Sequence, residues 1–408
     1  MTTSTLAPRR RRGYLIAAAL VVVWAGALLA IAVTVMPDLY WYSYFAVDYS
    51  VGFIRRGLAG ELLGLFGPEH YFTGVKVLRW LPTVVFVGGL AGLAWAVRPR
   101  TSERRLLLAL LIPLLPFGFA FGVFSARTDL LAATALAVLA CVLNRLSDTR
   151  SVLIVSAVYG AITAVLTLIH EATPFLFGLG TIAALAVLAR EISTRAFRFA
   201  IALAVGPPLL TGVAVAALGR RGLSGQLCQL VPHGTANHPL AGHPTLGQLL
   251  SGFRYDIDYH DWICRAILPL FDQSVSDGLR FVASIGVGAL AASTAYGIGV
   301  LVITLLAISH TSGVPVARFR SVLGQRRLEV LAGVVLLLPV FATGVDWIRW
   351  WVIVAFDLGI VFLVFASTQP EADLPATPRT LRIFAVFAIL LALLPVGIIP
   401  GFGAPVPM

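Results

Sequence analysis

Nine ionisable side chains sit in the connections between apolar stretches of this sequence: Asp48, Arg55, Arg56, Arg127, Asp129, His170, Glu171, Asp346 and Arg349. The densest group is in 47–58, Val-Asp-Tyr-Ser-Val-Gly-Phe-Ile-Arg-Arg-Gly-Leu. A carboxylate followed by paired guanidiniums at a membrane surface suits a general base beside a phosphate clamp. Arg grips phosphate through two parallel N–H groups and keeps its charge when partly desolvated, and a carboxylate can take a proton from a hydroxyl. A structural reading of the same residues stays open, in which Arg55 and Arg56 meet lipid head groups and Asp48 pairs with one of them.

Arg127 and Asp129 make up a turn between two apolar stretches, and charges this close to hydrocarbon are costly unless paired or used. An Arg–Asp structural pair and a substrate contact both fit. The same two readings apply to His170 with Glu171 and to Asp346 with Arg349. Four such clusters from separate turns on one face are harder to explain by structure alone. Asp357 differs, because it falls about two turns inside an apolar stretch, where a proton or substrate path through a transporter would use it.

These residues have to be positioned by membrane helices. Hydrophobic residues are 59% and charged residues 12% of the 408, and mean hydropathy is +0.91, so polar surface is too scarce to cover a water-soluble globule of this size. About 17–25 apolar residues span roughly 30 Å of hydrocarbon. Eleven stretches qualify, at about 14–36, 79–98, 105–125, 129–147, 152–170, 172–190, 197–218, 280–309, 329–345, 350–367 and 381–400. The expected fold is all-α and polytopic, one integral membrane domain over 1–408 with no separate soluble unit. Spans containing Pro113, Pro116, Pro207, Pro208 or Pro339 are expected to stay helical, since neighbouring helices resatisfy the freed carbonyls. The first stretch reads as an uncleaved signal anchor, being too long for a signal-peptide core.

Sidedness follows from the basic residues. With the amino terminus in the cytoplasm, 19 of the 30 basic residues fall in inward turns although the outward loops are longer. Since 29 of the 30 are Arg and lie in short turns beside apolar segments, the net charge of +11 reflects topology, and no nucleic-acid partner is expected. Two outward loops are long, 37–78 and 219–279. The first holds an aromatic run at 40–45 and an amphipathic piece at 58–66 expected to lie in the membrane interface.

The second long loop carries Cys228 and Cys264, which can bridge in an oxidising exterior, and His233, His238, His243 and His260. The His spacing matches no zinc pattern and Asp256-Ile257-Asp258 lacks the other ligands of a calcium loop, so no metal or cofactor is expected. There is no phosphate-binding Gly-rich loop and no G-x-S-x-G elbow.

With long first and fourth outward loops and an acid, Asp48, in the first, the chain resembles the GT-C superfamily of polyprenyl-phosphate-sugar-dependent membrane glycosyltransferases. The chain departs from the pattern in lacking a paired acid, because Tyr49 and Ser50 follow Asp48. The resemblance implies transfer of a sugar to a glycan or glycolipid acceptor at the outer face of a bacterial plasma membrane. Asp48 would be the catalytic base, with Glu171 or Asp38 as substitutes. Arg55, Arg56, Arg127 and Arg349 would hold phosphate, and His170 and Glu171 would contact hydroxyls. Two rivals fit the same topology: an O-antigen-type polymerase or ligase, and a lipid or solute transporter using Asp357.

Overall fold

The helix Trp347–Ser367 is the centre of the molecule. Apart from Arg349 and Asp357 it is apolar on every side, and a helix of that kind has to be wrapped by others. Val287–Ser312, Thr173–Leu188, Asp129–Leu143 and Glu103–Leu111 pack on it, leaving Val352, Phe356 and Ile360 with no exposed surface. The Gly13–Val33 part of helix Pro8–Thr34 is as apolar but peripheral: 6% of its most hydrophobic stretch is buried against 89% for Trp347–Ser367. Lipid is the solvent that satisfies such a surface. This computed structural model describes residues 8–34, 39–97, 102–125, 127–189, 191–238, 245, 247–248 and 251–394. Asp38 and His243 lie outside them.

Each of the eleven apolar stretches carries helix. Among the described residues seven helical stretches, continuous or interrupted, are long and apolar enough to cross a membrane: Gly13–Val33, Pro68–Val97, Glu103–Ser125, Thr149–Ile169, Thr194–Leu218, Val287–Ser312 and Trp347–Ser367. Asp129–Leu143 and Thr173–Leu188 are shorter, and Pro378–Leu393 ends beside the last described residues. Pro207 and Pro208 stay inside their helix as expected. Pro113 and Pro116 do not: the helix stops at Leu111, a 3-10 turn follows at Ile112–Leu114, and Leu115 is extended before Pro116, as the steric demand of a following proline favours. The expected span 329–345 is two short helices, Arg327–Val335 and Leu338–Thr343. The expected span 280–309 starts only at Val287, because Gly286 at φ 88° separates it from the amphipathic helix Val275–Ile285.

Close helix contact is bought by small residues. A Cβ on Gly160 would sit 2.0 Å from the Leu203 carbonyl oxygen, so Thr149–Ile169 and Thr194–Leu218 touch backbone to backbone there. The ion pairs that join different turns respect the expected sidedness. Arg105 with Asp373, Arg318 with Glu371 and Arg198 with Glu329 link residues assigned inward. Arg56 with Glu171, Arg127 with Asp346 and Arg349 with Asp129 link residues assigned outward.

The two long loops share one hydrophobic cluster, in which Leu39, Val47 and Ile54 of the first meet Leu227, Tyr259, Ile263 and Phe271 of the second. In the first loop the helix Gly57–Gly64 buries Ala59, Gly60 and Leu63, whereas Leu65 is exposed. In the second, strands Thr235–Asn237 and Asp256–Asp258 pair antiparallel, with Ala236 opposite Ile257. Cys228 and Cys264 are bonded, with Cα atoms 5.3 Å apart. The bridge spans 36 residues, which corresponds to about 4 kcal/mol of loop-closure stabilisation. Replacing both cysteines by serine is expected to lower the thermal stability of the purified protein to the level that reductant gives the wild type. Equal stability with and without the bridge would contradict this.

Candidate functional site

Arg55 and Arg56 close the bend before helix Gly57–Gly64. Arg56 is its N-cap at φ 65°, the one non-glycine residue at positive φ among those described. That conformation costs an L-residue on the order of 1 kcal/mol. Side-chain contacts offset it: Arg56 Nε and Nη2 donate to Glu171 Oε2 and Oε1 at 2.8 and 3.0 Å, a bidentate fork. Arg55 Nη1 is 3.6 Å from Glu171 Oε1. Arg55 also donates to the Leu270 carbonyl and stands 5.2 Å over the Phe271 ring. The two guanidiniums therefore tie together the first loop, the turn after Thr149–Ile169 and the second long loop.

A second network adjoins the first through His170. Arg349 donates to Asp129 through Nη1 and to Asp346 Oδ2 at 2.8 Å through Nη2. Arg127 Nη1 donates to that same Asp346 oxygen at 2.9 Å. His170 Nδ1 is 3.2 Å from Asp129 Oδ1. Arg127, Asp129, His170 and Arg349 are all buried, and pairing is what makes buried charge tolerable. The four turns singled out in the sequence thus meet, and Arg127 and Arg349 direct donors to carboxylates.

Asp48 stands apart. Its carboxylate accepts from the backbone N–H of Ser50, at 3.0 Å, and from the Ser50 hydroxyl, and it pairs with neither Arg55 nor Arg56. The structural reading in which it neutralises one of them does not hold. Gly60 holds this bend: its N–H donates to Val47 O at 3.1 Å, and a Cβ there would lie 2.2 Å from that oxygen.

Burial raises the Glu171 carboxyl, but Arg56 and Arg55 override it and hold it well below the usual carboxylate range. Asp346 is held down in the same way, burial being overridden by Arg349 and Arg127. Burial lowers Arg55, against the pull of Glu171 and with help from Arg56 and Arg221. Burial likewise pushes the His170 imidazole down to about 4, despite Asp129 beside it. Since the folded state then binds the His170 proton less well than the unfolded chain, stability is complete above about pH 6.5 and falls as pH drops towards 4, by about 1.4 kcal/mol per unit. The purified protein is expected to lose about 2 kcal/mol between pH 7 and 5 through this group, and His170→Gln to flatten that slope. An unchanged slope in the variant would remove His170 from the account.

Two arginines escaped the sequence reading. Arg220 donates its backbone N–H to Phe53 O at 2.7 Å, and its side chain lies against Gly52. Arg221 is close enough to lower Arg55. Neither has a carboxylate partner among the described residues. The signal was present: an Arg-Arg pair at the outward end of a span runs against the inward bias. His233 and His260 stack at 4.0 Å, and His260 lies beside both cysteines. The disulfide occupies both sulfurs, so they offer no thiolate to a metal. Asp357, inside the central helix, is fully buried, and both its oxygens lack a hydrogen-bond partner among the described residues.

Fold and site define a multi-pass helical membrane protein with a cluster of paired and unpaired arginines on one face. The chain belongs to the family described as uncharacterised membrane protein Rv1490, whose model matches residues 14–392. It is 36% identical over 400 residues to protein Rv1490 of Mycobacterium tuberculosis and protein Mb1527 of Mycobacterium bovis, both described as uncharacterised, with 96% of this chain and 92% of theirs covered. No solved structure matches it.

Proposed function

We propose that the protein is a membrane glycosyltransferase that moves a sugar from a polyprenyl-phosphate donor to a cell-envelope glycan or glycolipid at the outer face of a bacterial plasma membrane. The observation that carries this reading is the gathering of Arg55, Arg56, Arg220 and Arg221 where the two long loops meet, Glu171 being in ion-pair contact with Arg55 and Arg56, while Arg220 and Arg221 have no carboxylate partner among the described residues. Such a surplus of guanidinium suits the leaving phosphate. Asp48 is the base: it takes the acceptor hydroxyl proton as that oxygen bonds the anomeric carbon and the bond to the polyprenyl phosphate breaks. Glu171 and Asp346, held ionised by arginine, are weak bases. Their part is to orient Arg55, Arg56, Arg127 and Arg349, while Asp129 and His170 lock Arg349 in place.

The test is lipid mass spectrometry on cells lacking the protein, complemented with wild type, Asp48→Asn or Asp357→Asn. A polyprenyl-monophosphate sugar is expected to accumulate and to be cleared by wild type and Asp357→Asn but not by Asp48→Asn. Accumulation of a pyrophosphate-linked oligosaccharide would replace this reading by a polymerase. An unchanged lipid pool would replace it by a transporter, for which Asp357 is the residue to pursue.

A further inference from the structure

We infer that the protein has a second binding site, independent of the glycosyl-transfer reading, for the phosphate-bearing head of a membrane lipid at the opposite face. Helix Trp347–Ser367 starts beside Asp346 and helix Thr194–Leu218 ends beside Arg220, so their other ends mark that face. A cavity of about 320 Å³ lies there, between those ends, the end of Thr173–Leu188 and the helix Val316–Gly324. Its size falls within the range of small-molecule sites, roughly 300–1,000 Å³.

The walls are of two kinds. Phe197, Val322 and Phe365 are apolar, whereas Arg318 and Arg326 bring charge. Arg318 is spent on Glu371, donating through Nη1 and Nη2 at 3.0 and 2.7 Å. Arg326 has no carboxylate within ion-pair distance among the described residues: Glu329 feels its charge but bonds Arg198. Its Nη1 donates to Thr194 Oγ1 at 2.9 Å, and its guanidinium stands 4.5 Å over the Phe197 ring. A guanidinium has five N–H donors, so this one is fixed in place with donors to spare. The Gln325 and Gln369 side chains line the same space and suit phosphate or glycerol oxygens.

A fixed cation beside aromatic walls selects an amphiphilic anion. Basic pockets between membrane helices on the side that the arginine asymmetry assigns to the cytoplasm take anionic head groups for this reason. Inward arginines in general serve topology, but that role needs no cavity, which separates Arg326 from the exposed Arg320 on the neighbouring helix.

The test is native mass spectrometry of the full-length protein in mild detergent, titrated with phosphatidylglycerol or phosphatidylcholine. Saturable binding of phosphatidylglycerol is expected, weakened about tenfold or more by Arg326→Gln. Val322→Trp, which fills the cavity and keeps every charge, is expected to weaken it equally, and Arg320→Gln to leave it unchanged. Equal loss with Arg320→Gln would overturn the site in favour of diffuse surface attraction. Indifference to both Arg326→Gln and Val322→Trp would overturn it too. Displacement by glycerol 3-phosphate at matched concentration would assign the cavity to a soluble anion instead. None of these readouts depends on sugar transfer, so failure here leaves the outer-face reading standing.

Discussion

Asp48→Asn is expected to lower sugar transfer by about 10²- to 10⁴-fold, the range for removing a general base, while leaving the fold intact. The fold should survive because the Ser50 N–H and hydroxyl bond only one Asp48 oxygen, which Asn retains as its amide oxygen. What disappears is the proton acceptor. Glu171→Gln is expected to behave differently. It weakens the fork that holds Arg56 at positive φ, so donor binding and stability should suffer together. The rate of transfer from a polyprenyl-phosphate sugar in proteoliposomes, measured for both variants at saturating donor, separates the roles. Full activity in Asp48→Asn with none in a folded Glu171→Gln would move the base to Glu171.

The second large effect is on stability. Arg349→Leu is expected to cost about 3–5 kcal/mol, the penalty for stripping a buried charge of its partner. Asp129 has no exposed side-chain surface, and without Arg349 the one described group left within ion-pair distance is His170, which burial keeps neutral near pH 7, while Arg127 and Arg56 act on it only from further away. The paired change Asp129→Leu with Arg349→Leu removes both charges and should recover much of the loss, since well-packed apolar residues often replace a buried ion pair at little cost. Unfolding in mixed detergent micelles measures all three proteins. If the double variant were less stable than the sum of the singles, the two residues would not be acting as a pair.

Much of the plan was legible in one dimension. Apolar length is a property of short windows and yielded the helical membrane class, and of the nine charged residues it left in the connections, all but Asp48 meet in the ion-pair networks. The breaks were less legible. Pro207 and Pro208 sit inside a helix while Pro113 and Pro116 end one, because whether neighbours accommodate a proline depends on packing. Gly286 gave no more warning than any other glycine in an apolar run.

Pairing was a matter for the tertiary structure alone. Arg349 meets Asp129 across 220 residues and Arg127 meets Asp346 across 219, contacts that follow from which helix ends pack together around Trp347–Ser367. The same packing brings Arg220 and Arg221 to Arg55, leaves Asp48 out of the ion pairs and joins Cys228 to Cys264. The sequence by itself determined that most charge would collect at the ends of the spans, since hydrocarbon excludes it from their middles. Only the folded chain decided which charges neutralise one another and which remain for a ligand, because that depends on side-chain direction and distance between elements far apart in sequence.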